Sequence, residues 1–98
     1  MNNNNDIASI KTRVLKVFSS QLNTTVTDQI INKELEHDLG LDSSEINTVI
    51  IMLEKLYHTP IYEEDCETFN TINDIILFIE KKQQKKYIIK HYVNNPNK

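Results

Sequence analysis

The chain contains few of the residues that interrupt helices or cross-link a fold. Its 98 residues include one glycine, two prolines and one cysteine. A single cysteine, Cys66, excludes an internal disulfide framework and any motif that needs two cysteines to bind a metal or to exchange electrons. It is consistent with a reducing compartment. No apolar run approaches the roughly 18 residues that would span a membrane.

The N-terminal residues do not show the charged-then-apolar pattern of a secretory signal, so we expect a cytoplasmic protein. Residues 2–5 are all asparagine. This low-complexity stretch predicts that residues 1–5 are disordered. The remaining length is enough for one small domain with a modest core.

Charge is distributed unevenly along the chain. Residues 1–79 contain five Lys or Arg and thirteen Asp or Glu, a net charge of −8. Residues 80–98 contain six lysines and one acid, a net charge of +5, which brings the whole chain to −3. An acidic body with a basic tail argues against nucleic-acid binding.

Apolar spacing predicts three long helices. Asp6 can cap the first, and residues 23–25 can end it because their side chains compete for backbone hydrogen bonds. The second is expected from Ser43 to about Tyr57, since the residue before Pro60 avoids the helical region. Thr71 can cap the last. The apolar residues at spacings of three and four are Ile7, Ile10, Val14, Val17, Phe18 and Leu22, then Ile46, Val49, Ile50, Leu53 and Tyr57, then Ile72, Ile75, Ile76 and Ile79.

The segments between these helices show less regular spacing of apolar residues. Residues 63–67 form an acidic stretch that predicts a short helix. Residues 23–42 have no sustained period and predict a long connection, with Ile30, Ile31, Leu35 and Leu39 as its anchors in the core. No hairpin signal is present. We therefore expect an all-α fold, a small up-down bundle of three main helices plus one short helix over residues 6–79.

Ser43 stands at the start of the second predicted helix, in the run Asp38-Leu39-Gly40-Leu41-Asp42-Ser43. The backbone N–H groups at a helix N-terminus and the helix dipole favour a phosphate there. Gly40, the chain's one glycine, can adopt the positive φ that a sharp turn before the helix requires. Ser43 could instead be an ordinary N-cap, which is a common use of serine.

Residues 35–79 resemble the acyl carrier proteins, which bind phosphopantetheine, without needing a gap. The matching parts are the anchor Leu35, the motif at residues 38–43, the helix to Tyr57, then Ile61, the acidic stretch at 63–67 and Thr71-Ile72. The resemblance implies that Ser43 carries phosphopantetheine, received from coenzyme A through a phosphopantetheinyl transferase with magnesium at that enzyme's site. It implies that Asp42 helps to present the serine.

The same resemblance implies a non-catalytic, monomeric carrier that holds an acyl group as a thioester for lipid, including fatty acid, or secondary-metabolite synthesis. Its partners would be the transferase and enzymes that transfer or modify acyl groups. The family's acyl cleft maps onto Ile46, Val49, Leu53, Ile61, Cys66, Phe69, Ile75 and Ile79. Cys66 and Ile75 stand where the family usually has smaller residues, and Phe69 stands where it usually has an aliphatic one. Because interiors are densely packed, this extra side-chain volume predicts a preference for short or polar acyl groups.

Partner contacts are expected at Ser44, Glu45, Ile51 and Glu54. The position after the serine is usually large and apolar in the family, whereas here it is Ser44. The exposed face of the second helix is usually acidic, and Asn47, Thr48 and Lys55 dilute that charge here. We therefore expect weaker electrostatic steering of partners and a divergent or dedicated carrier.

Two alternatives remain open. One is an aminoacyl or peptidyl carrier, although such carriers often have a second glycine where this chain has Leu41. The other is a helical interaction module that has the fold without the arm. No nucleophile–base pair or metal constellation can be assembled, because His37, His58 and His91 are scattered and Cys66 is alone.

Residues 80–98 form a basic extension beyond the family's usual end. We expect the last helix to continue past Lys82 toward residue 90 and to fray at residues 94–96. Its basic, partly apolar end could dock on the acidic body, on a partner or on an anionic membrane surface. A solvated, mobile tail is the alternative.

Overall fold

The computed structural model describes the backbone of residues 3–93 and the side chains of residues 10–84. Within this part of the chain four α-helices follow one another: α1 (Asn3–Leu22), α2 (Ser43–Tyr57), α3 (Glu63–Cys66) and α4 (Ile72–Val93). One 3-10 turn, Asp28–Ile30, interrupts the connection between α1 and α2. Within residues 3–93 no strand forms, and the expected all-α bundle of three main helices and one short helix is confirmed.

The core is formed by the faces that the apolar spacing predicts. In α1, the side chains of Ile10, Val14 and Phe18 are buried, as are those of Val49, Ile50 and Leu53 in α2 and of Ile72, Ile75, Ile76 and Ile79 in α4. Val17, Leu22, Ile46 and Tyr57 are partly buried against them. Ile7 lies outside the described side chains. Burial of this apolar surface is the main favourable contribution to folding.

Residues with left-handed backbone end the first two long helices. Asn23 has φ +56° directly after α1, and the N–H of Thr24 donates to the Ser19 carbonyl at 3.1 Å. His58 has φ +50° after α2, and the N–H of Thr59 donates to the Glu54 carbonyl at 3.2 Å. Both arrangements satisfy carbonyl groups that a helix end otherwise leaves unpaired.

The long connection between α1 and α2 is fixed to the core and to the start of α4. Leu35 is 1% exposed, and its N–H donates to the Asn70 carbonyl at 2.8 Å. Val26 and Leu41 are also buried, and they are anchors that the sequence pattern did not indicate. The expected anchors Ile30, Ile31 and Leu39 are only partly buried. The connection therefore positions the residues just before Ser43.

The structure differs from expectation at the first helix. α1 begins at Asn3, one turn before the expected cap Asp6. Asparagine is compatible with the first turn of a helix, where the backbone N–H groups have no intrahelical partner. Residues 1 and 2 lie outside the described part of the chain.

The last helix continues past the expected end of the carrier domain. α4 has no break at residues 79–80 and runs to Val93, so its expected continuation past Lys82 is confirmed. Thr71 caps it as expected: its hydroxyl accepts the Asp74 N–H at 3.1 Å, and its own N–H donates to the Asp74 carboxylate at 3.0 Å. The expected fraying at residues 94–96 and the docking of the extension concern parts of the chain outside the described side chains.

Candidate functional site

The first turn of α2 is closed by a reciprocal pair of side chains. Asp42 is the N-cap, and its carboxylate accepts the N–H of Glu45 at 2.8 Å. The Glu45 carboxylate in turn accepts the N–H of Asp42 at 3.0 Å. This capping box satisfies two backbone donors and fixes where the helix begins. The N-cap role that serine often takes therefore belongs to Asp42.

Ser43 is the first residue of α2 and its side chain is exposed. In the part of the chain that the structure describes, its hydroxyl makes no hydrogen bond. Its backbone N–H and that of Ser44 have no acceptor among the described residues. The hydroxyl thus lies on the protein surface beside two unpaired amide groups at the positive end of the helix dipole.

Gly40 makes the turn that leads into this helix. Its φ of +69° is in the left-handed region, and a Cβ built there would meet no atom within 4 Å. The conformation of the backbone, rather than lack of space, is therefore the reason for glycine at this position. The next residue, Leu41, is buried and its N–H donates to the Leu35 carbonyl at 3.0 Å.

The four residues expected to contact partners differ in exposure and in their hydrogen bonds. Ser44 is exposed and Ile51 is 42% exposed, so both are accessible. Glu45 is half-buried and one of its oxygens belongs to the capping box. Glu54 is also half-buried, and its carboxylate accepts the N–H of Ile61 at 2.7 Å. Both acids therefore have structural roles in addition to the partner contacts predicted for them.

The outward side of α2 exposes several large apolar side chains. Met52 and Leu56 are exposed together with Ile51. Lys55 is exposed among them and makes no ion pair within the described part of the chain. The outward side of the second half of α2 is therefore predominantly apolar rather than acidic.

The structure brings the eight expected cargo-lining residues together in one core. Val49, Leu53, Ile61, Phe69, Ile75 and Ile79 are buried, while Ile46 and Cys66 are partly buried against them. Phe69 contacts the ring of Phe78 edge to face, with centroids 5.1 Å apart. A groove of about 290 Å³ passes Cys66 and Phe69 and is bordered on its other side by residues 34–37.

Cys66 is half-buried at the end of α3. Burial raises the pKa of its thiol, and nearby carboxylates, that of Asp65 foremost, raise the pKa further. The thiol is therefore protonated near neutral pH, which disfavours nucleophilic reactions. Within the described residues, no group of three or more His, Cys, Asp or Glu could hold a metal ion.

One buried polar residue, Thr59, and its half-buried partner, Gln83, were not indicated by the sequence pattern. Thr59 is 4% exposed, and its hydroxyl donates to the Tyr57 carbonyl at 3.1 Å. The same oxygen accepts the side-chain N–H of Gln83 at 3.1 Å. Gln83 lies four residues after Ile79, so the apolar spacing of α4 marks its position but not its partner. No helix in the described part of the chain is long and apolar enough to cross a membrane.

Comparison with known proteins agrees with this geometry. The family model described as "Phosphopantetheine attachment site" matches residues 12–79, more than half of the chain. The acyl carrier protein of Syntrophobacter fumaroxidans (strain DSM 10017 / MPOB) is 29% identical over 80 residues, which cover 80% of this chain and 96% of that protein. Carriers of this family are in general not catalysts. The chain belongs to the phosphopantetheine-attachment family of carrier proteins, whose covalently bound cofactor is phosphopantetheine.

Proposed function

We propose that the chain is an acyl carrier protein that holds its phosphopantetheine arm on Ser43. The observation that carries this proposal is the exposed Ser43 hydroxyl at the first position of α2, with no hydrogen bond to any described residue. A serine buried or engaged as an N-cap would have to give up those contacts to be modified. Ser43 needs no such rearrangement, because Asp42 caps the helix.

The residues at the start of α2 fit a phosphate ester. The unpaired N–H groups of Ser43 and Ser44 are donors for phosphate oxygens, and the helix dipole adds a favourable field. Asp42 keeps the first turn in place through its bond to Glu45. When bound, the arm supplies a terminal thiol that carries the acyl group as a thioester.

Attachment requires a phosphopantetheinyl transferase and coenzyme A. The Ser43 oxygen forms a bond to the phosphorus next to pantetheine, and the bond from that phosphorus to the adenosine bisphosphate leaving group breaks. The proton of the hydroxyl passes to a base of the transferase. Asp42 is exposed beside Ser43, so it can interact with the magnesium that such a transferase holds at its own site.

The proposed cargo is an acyl group, used in lipid or secondary-metabolite synthesis. The similarity to a protein named acyl carrier protein supports this class over aminoacyl or peptidyl groups. Leu41 adds support, because it is buried at the position where aminoacyl carriers often have glycine. We propose that the cargo enters the cleft lined by Ile46, Val49, Leu53, Ile61, Cys66, Phe69, Ile75 and Ile79. Their dense packing favours short or polar groups.

The enzymes that transfer or modify the acyl group would approach the helix that carries the arm. Ser44 and Ile51 offer them accessible contacts, and Glu45 and Glu54 offer the carboxylate oxygens that the internal hydrogen bonds do not use. Because little free negative charge remains on this face, we expect partner binding to depend only weakly on salt.

Intact-mass spectrometry tests the proposal. The unmodified chain is incubated with coenzyme A, magnesium and a broad-specificity transferase, and it should gain the mass of one phosphopantetheinyl group. Loading with acyl-coenzyme A of graded length should then raise the melting temperature more for short chains than for long ones. A chain that gains no mass while a known carrier is modified in the same mixture would instead be an unmodified interaction module.

A further inference from the structure

The buried stripe of α4 ends in a polar residue. Ile72, Ile75 and Ile79 are fully buried along one side of the helix. Gln83 follows one helical turn after Ile79 and is half-buried. Its side-chain amide donates to the hydroxyl of Thr59 at 3.1 Å, across 24 residues of sequence. A polar pair thus takes the place where the next apolar contact of the stripe would be.

The Thr59 hydroxyl is used as donor and acceptor at once. It donates to the Tyr57 carbonyl at 3.1 Å while it accepts from Gln83. Thr59 is 4% exposed, so water has little access to replace either bond. Separating the pair without a substitute partner would leave a buried polar group unsatisfied, which is unfavourable.

This pair lies at the end of the bundle opposite Ser43. The starts of α2 and α4 are held together by Leu35, whose N–H donates to the Asn70 carbonyl and whose carbonyl accepts the Leu41 N–H. α2 then continues for 15 residues, about 22 Å at about 1.5 Å per residue. Because Gln83 of α4 meets Thr59 just after the end of α2, the two helices run in the same direction.

We propose that the Gln83–Thr59 hydrogen bond closes the far end of the cargo cleft and sets the greatest length of apolar acyl chain that the bundle encloses. The proposal rests on the acyl-carrier function proposed above. An acyl chain that enters from the Ser43 end passes the apolar side chains of α2 and α4 first. A chain long enough to reach the pair must separate the amide from the hydroxyl and offers no polar atom in return.

The test replaces both partners at once. Thr59→Val with Gln83→Leu substitutes apolar groups for both members of the pair, so neither member is left as an unpaired polar group. Only the Tyr57 carbonyl loses the Thr59 donor, and the fold should persist. The matched control is Gln84→Leu, the same substitution at the neighbouring exposed position. Each variant is loaded from a series of acyl-coenzymes A from butyryl to palmitoyl, and the melting temperature is followed by circular dichroism.

In the unsubstituted protein and the Gln84→Leu control, stabilisation by cargo should reach its maximum at the same chain length. In the double variant that maximum should move to longer chains by at least one two-carbon step of the series. An unmoved maximum in the double variant would overturn the inference while leaving the carrier function intact. Failure of the unsubstituted protein to accept the arm would overturn both.

A second measurement follows the loaded protein with Thr59 and Gln83 both unsubstituted. In ¹⁵N-correlated NMR spectra, the side-chain amide signals of Gln83 are assigned by their loss in Gln83→Leu and compared with those of Gln84. Cargo up to the length of greatest stabilisation should leave the Gln83 signals in place. Longer cargo should shift them, with no change for Gln84. Gln83 signals that stay constant through palmitoyl would contradict the inference.

Discussion

The carboxylate of Glu54 accepts the backbone N–H of Ile61 at 2.7 Å, across the turn that joins α2 to α3. The donor belongs to a buried residue, and the acceptor lies in the last turns of α2. The bond therefore ties the path of the chain after α2 to the helix itself. A glutamate on the helix expected to meet partners is thus also part of the fold.

Loss of this carboxylate should destabilise the protein. Glu54→Ala leaves the Ile61 N–H without its acceptor, and we expect the free energy of unfolding to fall by about 1–2 kcal/mol. Glu54→Gln retains an acceptor oxygen and should lose less than half of that. Urea denaturation followed by circular dichroism measures both, with the exposed Glu64→Ala as the control. Equal stability of Glu54→Ala and Glu64→Ala would contradict the assignment.

Modification should be specific to one of two adjacent serines. Ser43→Ala should abolish the phosphopantetheinyl addition, whereas Ser44→Ala should retain it. Both hydroxyls are exposed, so the distinction depends on position: Ser43 directly follows the cap Asp42, and Ser44 is one residue further into the helix. Intact mass gives the answer, and peptide mapping locates the group. Labelling that survives Ser43→Ala would place the arm elsewhere.

Substitution of Gly40 should destabilise the protein through the backbone conformation alone, because a side chain there would meet no neighbouring atom. At φ +69° an alanine is expected to reduce the free energy of unfolding by about 1–2 kcal/mol, because its Cβ crowds its own backbone in the left-handed region. Asparagine tolerates that region better, so Gly40→Asn should lose less than Gly40→Ala. Thermal or urea unfolding ranks the two variants. If alanine proves as stable as glycine, the left-handed turn is not required.

Alkylation of Cys66 should show a displaced pH dependence. Burial raises the pKa of its thiol and neighbouring carboxylates raise it further, so the native thiol ionises at higher pH than a free cysteine. The rate of reaction with iodoacetamide should therefore reach its half-maximum at higher pH in the folded protein than in urea. As pH rises, the thiol of the unfolded chain ionises at lower pH than the thiol of the folded protein. The Cys66 thiol therefore contributes stability to the fold below the ordinary thiol pKa, and this contribution is lost as pH rises through the raised pKa of the folded protein.

A pair of truncations tests what Gln83 contributes to stability. A chain ending at Gln84 keeps the hydrogen bond to Thr59, and a chain ending at Lys82 loses it. We expect the shorter chain to be less stable by about 1 kcal/mol, the typical net value of one such bond. Urea denaturation of the two proteins side by side measures the difference. Matching midpoints would show that Gln83 adds nothing to the fold.

The positions of the helices could be predicted from sequence because their faces and ends carry local signals. The start of α2 at Ser43 and the cap of α4 at Thr71 follow from polar residues ahead of apolar spacing. The turn at Gly40 could be predicted because Gly40 is the chain's one glycine and glycine readily adopts a positive φ. These signals act within a few residues, which is the range over which sequence patterns are informative.

Contacts between distant residues could not be predicted in the same way. Nothing in the spacing of α4 indicates that Gln83 meets Thr59, because the pair depends on how α2 and α4 are packed. The capping role of Glu45 follows from its position three residues after Asp42, whereas the family resemblance alone predicts a partner contact there. The path of the long connection between α1 and α2 likewise depends on the buried side chains of Val26 and Leu41. No periodic apolar neighbours in the sequence indicate that these two residues are buried.

Among the residues whose side chains the structure describes, six acidic residues use a carboxylate oxygen to accept backbone N–H groups. They are Asp38, Asp42, Glu45, Glu54, Asp65 and Asp74. Replacing any of these carboxylates with a basic side chain would therefore remove a hydrogen bond that holds the backbone as well as change the surface charge. Partner binding can therefore be altered without cost to the fold only at the acids that accept no backbone N–H group and on the predominantly apolar side of α2.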